Sequence, residues 1–174
     1  MEYEFSLRFK LPADAPPPEE LVERLGAAGC HDAVVGTGHP GRVALQFSRD
    51  ARTAEHAMMT ALRNVKTAIP GADLIEAGPD IVGLTDIADL LGMSRQNIRK
   101  LWLNHAASFP APMHDGTVAL WRLAPVLRWL EAQGQRRIAR PLVEVADVAM
   151  RVNLAKALAR HAPRTDKRLQ ALLN

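Results

Sequence analysis

The chain has 174 residues, 48% hydrophobic and 24% charged, a composition that suits one or two globular units and excludes a disordered or fibrous protein. One cysteine, Cys30, cannot build an internal disulfide, which fits a reducing compartment. The net charge is only +3, yet residues 1–80 hold 8 Lys and Arg against 12 Asp and Glu, and residues 81–174 hold 14 against 7, so a polyanionic partner is expected for the second half.

At the start, Tyr3, Phe5, Leu7 and Phe9 alternate with Glu4, Ser6, Arg8 and Lys10, the period-two pattern of a half-buried strand. This segment has neither the cationic lead nor the apolar core of a secretion signal, and no stretch reaches the roughly 20 apolar residues of a membrane span. A cytoplasmic protein without a membrane partner is the expectation. Pro16-Pro17-Pro18 followed by EELVERLGAAG places proline and acids at a helix start, with Gly26 or Gly29 at its end. Two strand-capable runs follow, residues 32–35 and 42–47, joined by the loop-rich Gly36-Thr37-Gly38-His39-Pro40-Gly41. Thr53 can cap a helix running to about residue 68, which Ile69-Pro70-Gly71 breaks, and residues 72–77 form a last short strand. Strand, helix, two strands, helix, strand is the order of a ferredoxin-like α+β domain, assigned to residues 1–78.

The glycines of that loop lie between strands and open no helix, so they lack the N–H array that cradles phosphate. Cys30, His31, His39 and His56 lack the paired spacing of a zinc site, and no Ser, His and acid stand in a recognisable nucleophile setting. No catalytic residue, cofactor or metal is expected, and the chain is not read as an enzyme. The first domain is left with self-association, capture of a small effector, or docking of a protein partner. Residues 73–83 link the halves, and Gly78-Pro79 interrupts them so briefly that the two orientations are expected to be coupled.

Residues 83–102, GLTDIADLLGMSRQNIRKLW, read as two short helices around a tight corner. Thr85 is expected to cap the first helix, and Ile87, Leu90 and Leu91 share one face, with small Ala88 admitting a close neighbour. Gly92 supplies a left-handed C-terminus and Ser94 caps the next helix, a helix-turn-helix spacing. In that second helix Ile98, Leu101 and Trp102 turn inward, leaving Arg95, Gln96, Arg99, Lys100 and Leu103 outward. Arginine suits the two acceptors on guanine, and glutamine or asparagine suits adenine. No acid occurs from Gly92 to Ser108. An αα-corner with a basic surface is the plainer alternative.

After Ser108 the chain continues FPAPMHDGTVALWRLAPVLRWLEAQG. Asp115-Gly116 between strand-capable residues predicts a hairpin wing with positive φ at both central positions. An apolar-periodic helix carrying Val126, Trp129 and Leu130 follows. With LTDIADLLGMSRQNIRKLW, Phe109-Pro110, Pro112 and Leu120-Trp121-Arg122 in this order, residues 81–134 resemble the small winged helix-turn-helix regulators of the AlpA, excisionase and MerR-like group. The resemblance implies DNA binding, with Arg95, Gln96, Asn97, Arg99 and Lys100 on the major-groove helix and Trp121-Arg122 where the wing returns to the core. The wing tip, His114-Asp115-Gly116-Thr117, departs from the pattern because it lacks the Lys or Arg that reaches phosphate, so it ranks below the helix. The candidate interface is thus Thr85, Ser94, Arg95, Gln96, Asn97, Arg99, Lys100, His114, Thr117 and Arg122.

Residues 135–140 are a basic run, either a solvated surface or a phosphate contact. Residues 141–161 open on proline and carry apolar groups on two sides: Val145, Val148, Val152 and Ala155 on one, and Val143, Met150, Leu154 and Leu158 on another. Such a helix must be covered twice, by the two domains of its own chain or by a second copy, and the second copy is the favoured cover. Thr165-Asp166 opens a short terminal helix, so residues 135–174 are assigned to a basic linker and C-terminal helices for dimerisation or docking. The expected function is a bacterial-type, sequence-specific regulator of transcription that binds double-stranded DNA as a homodimer through residues 94–103. An antitoxin-like or phage or plasmid accessory protein that holds a partner through residues 1–78, and an excisionase-like DNA-bending factor, are the alternatives.

Overall fold

The alternation of the first ten residues becomes a nine-residue strand, β1 (Glu2–Lys10), whose Tyr3, Phe5, Leu7 and Phe9 are buried. In the computed structural model, which describes residues 1–134 and 137–161, it is followed by α1 (Pro18–Ala27), β2 (Ala33–Gly36), β3 (Arg42–Asp50), α2 (Ala54–Ala68) and β4 (Asp73–Gly78). The four strands form one antiparallel sheet in the order β2-β3-β1-β4. Phe5 sits opposite Phe47 in the β1–β3 register, and their rings stack at 5.0 Å. Burying this face against α1 and α2 makes the first core, which includes Leu21, Leu25, Met58 and Val65. The opposite face carries polar residues such as Glu4, Arg8 and Gln46. Thr53 accepts from the His56 N–H at 3.1 Å, as its place before the helix predicts.

Arg49, only 8% exposed, ties the loop before β2 to β3 and α2. Its guanidinium donates to both oxygens of Asp32, at 2.6 and 2.8 Å, and to the Gly29 carbonyl. That guanidinium holds the Asp32 carboxyl below the usual carboxylate range. Burial pushes the nearby Cys30 thiol up.

A second core forms from β5 (Ile81–Val82), α3 (Leu84–Leu91), α4 (Arg95–Asn104), β6 (Trp121–Arg122) and α5 (Leu123–Ala132). Trp121 is its centre: Trp102 of α4 meets it edge-on at 5.0 Å, Phe109 at 6.1 Å, and its indole N–H donates to the Pro110 carbonyl at 3.0 Å.

The last described helix, α6 (Arg140–His161), joins the two cores. Val145, Val148 and Ala149 enter the first and Ala146 the second, so its buried residues are covered by its own chain. The buried side of the helix thus needs no second copy to cover it, while Leu154 and Leu158 on the other side stay exposed. Asn153 closes the outer edge of β4 as a neighbouring strand would. It accepts from the Ala77 N–H at 2.9 Å and donates to the Ala77 carbonyl at 2.8 Å and to Asp80 Oδ2 at 2.7 Å. Tyr3 donates to Glu144 at 2.8 Å, fastening α6 to β1 as well. Residues 135–136, part of the basic run, and 162–174, with the expected terminal helix, lie outside the described residues. No helix among the described residues is long and apolar enough to cross a membrane.

Candidate nucleic-acid interface

The corner between α3 and α4 is built by three local devices. α3 starts at Gly83, whose N–H donates to Asp86 Oδ2 at 2.7 Å, so the expected cap at Thr85 is corrected: Thr85 lies exposed inside the first turn. The reciprocal reach of an acid at the third helical position replaced the hydroxyl. α3 ends at Gly92, in the left-handed region at φ 59°, which lets the Met93 N–H reach the Ala88 carbonyl at 2.8 Å. Ser94 then accepts from the Asn97 N–H at 3.2 Å and starts α4, as its position predicts. Ile87 and Leu91 are buried, but Leu90, expected on the same face, is 40% exposed because the apolar stripe is narrower than its spacing allowed.

On α4 Ile98 is buried and Leu101 and Trp102 pack against the second core. Arg95, Gln96, Asn97, Arg99 and Lys100 are exposed, and their side chains have no hydrogen-bond or ion-pair partner among the described residues. Arg137 is likewise exposed and without a partner among the described residues, whereas four other arginines of the basic half are paired. Arg128 pairs with Asp147, Arg140 with Glu144, Arg151 with Glu55 and Arg160 with Asp73. The cations of α4 are thus not folded against the acidic half; α4 presents an uncompensated positive face beside a helix N-terminus with no acid in its first turn.

The pairing expected of a wing hairpin is reduced to one bridge. His114 and Leu120 form a single bridge, with Leu120 N–H donating to His114 at 3.0 Å and the Met113 N–H to Leu120 at 2.8 Å. Neither Asp115 nor Gly116 has positive φ, so the predicted tight turn is replaced by a five-residue loop, residues 115–119. Pro110 and Pro112 supply no N–H for a longer ladder. His114 and Thr117 are exposed at this loop.

Arg122 requires the main correction. Its Nη1 donates to Asp80, whose side chain is fully buried, and β6 pairs with β5 in the register Val82 to Trp121. Arg122 serves as a strut between β6 and the chain entering β5, and its guanidinium is committed to that carboxylate instead of phosphate. Sequence reading missed Asp80 and Asn153 altogether; the one signal was an asparagine interrupting the apolar residues of α6. Comparison with protein-family models, curated proteins and solved structures finds no match to this chain.

Proposed function

We propose that the chain is a sequence-specific, double-stranded-DNA-binding regulator of transcription that acts as a homodimer and inserts α4 into the major groove. The observation that carries this is the exposed set Arg95, Gln96, Asn97, Arg99 and Lys100, uncompensated among the described residues while Arg122, Arg128, Arg140, Arg151 and Arg160 are each paired with an acid. Arg95, Gln96 and Arg99 read bases, Asn97 and Lys100 divide between base and backbone, and the Ser94-capped N-terminus meets a phosphate. Thr85, His114 and Thr117 flank that contact, and Arg122 supports it from behind. The corner of α3 and α4 followed by a bridged loop supports a winged helix-turn-helix for residues 81–134. The order β2-β3-β1-β4 with two helices on one face supports a ferredoxin-like domain for residues 1–78. With the β4 edge closed by α6, the uncharged β2 edge, where Val34 is 76% exposed, offers main-chain positions to a second copy.

The test is selection of genomic fragments bound by the full chain at stated salt, then anisotropy titrations on the selected duplex and a random one. Arg99→Ala weakens the selected duplex by ~1–3 kcal/mol and the random duplex much less. Equal loss on both removes the base-reading role, and no selected sequence removes the function.

A further inference from the structure

The outward face of α4 carries a side chain that its polar neighbours do not explain. Leu103 is 56% exposed and packs on neither core of the described residues, while Ile98 on the opposite side of the helix is 1% exposed. At 3.6 residues per turn Leu103 stands about 20° from Gln96 and about 40° from Arg99 around the helix axis, and about 140° from Ile98. It is therefore near the middle of the outward face, with Gln96, Arg99 and Lys100 around it, all of them exposed. A lone leucine on a protein surface is ordinary. This one occupies the centre of a surface that is otherwise cationic and amide.

On a duplex, Gln96, Arg99 and Lys100 find donors and acceptors on base edges and phosphates, and the Leu103 side chain can use none of these. The apolar group that a base presents in the major groove is the C5 methyl of thymine. We infer that Leu103 packs on that methyl, so that the chain reads a thymine at a fixed place in its site; this rests on the DNA-binding reading above and adds a base-reading residue to it. Contact removes water from both the methyl and the leucine, so a side chain that is idle in the free chain contributes once the duplex is bound. Leu103 lies four residues beyond Arg99, a rise of about 6 Å, which matches about two base-pair steps of 3.4 Å. The thymine is thus about two base pairs from the pair that Arg99 contacts.

The test replaces each thymine of the selected duplex in turn by uracil, which keeps every polar group of the base and lacks the methyl. Anisotropy titrations at one salt concentration compare the full chain with Leu103→Ala, an exposed change to a residue of higher helix propensity, so the variant keeps the fold. At one thymine or more, uracil is expected to weaken the parent about fourfold, the worth of one buried methyl, and to leave Leu103→Ala unaffected. Gln96→Ala, although weaker on the same duplex, keeps the methyl effect at that thymine. A leucine that only shaped α4 would lower affinity on both duplexes alike, with no dependence on the methyl. If uracil at every thymine costs the parent nothing, or costs the parent and Leu103→Ala equally, the inference is overturned while DNA binding stands. If no duplex is selected, both fall together.

Discussion

Replacing Asn153 by leucine keeps the branched outline of four side-chain heavy atoms, in a larger volume, and removes three hydrogen bonds from the seam between the cores. Asn153 is 5% exposed, so water does not replace what is lost. The Ala77 N–H and C=O each lose their partner on the closed edge of β4, and Asp80 Oδ2 keeps only Arg122. Each orphaned buried group costs about 1–3 kcal/mol, and the leucine recovers part of this through apolar contact, so a net loss of about 3 kcal/mol is expected. For a chain of this length that lowers Tm by roughly 6–12 °C. Asn153→Asp keeps the acceptor for the Ala77 N–H but sets a carboxylate oxygen against the Ala77 carbonyl and Asp80, so it destabilises at least as much although one bond survives. Urea unfolding followed by far-UV circular dichroism, with thermal melts alongside, measures both. If Asn153→Leu lies within about 0.5 kcal/mol of the parent, as an unremarkable surface change would, the seam is not held by this residue and the reasoning fails.

Asp32 gives a pH-dependent prediction. Its folded pKa lies below the unfolded value because Arg49 donates to it, so the unfolded chain takes up the proton first as pH falls. The pair's contribution is present above about pH 4 and is lost through the folded pKa, so the roughly 2 kcal/mol cost of Asp32→Asn at neutral pH narrows below about pH 4. A gap that stays constant in acid denaturation series contradicts this. Gly92→Ala is expected to cost about 1 kcal/mol, because a Cβ there meets nothing within 4 Å and the left-handed backbone is the whole penalty. A loss above about 3 kcal/mol in urea melts would point to packing that the corner does not have. Lys100→Ala is expected to weaken all duplexes alike and to reduce the slope of log affinity against log salt by about 1; loss confined to one sequence would make it a base reader.

Features set by neighbouring residues were legible in advance. The two-residue alternation of β1, the Thr53 and Ser94 caps, the left-handed Gly92 and the two faces of α4 depend on groups within about one helical turn, and a local pattern is enough to specify them. Other features depend on partners brought from far along the chain. Arg122 looked like a phosphate contact until folding placed Asp80, 42 residues away, beneath it. Asn153 acquired its role only when α6 came to lie along β4, 76 residues earlier. Likewise, the pattern of α6 demanded cover on two sides without saying whose, and Asp115-Gly116 favoured a tight turn where the chain instead makes a five-residue loop closed by the His114–Leu120 bridge. Periodicity states that a face must leave water; which surface removes it, and which buried polar groups then find donors, is decided only by the tertiary arrangement.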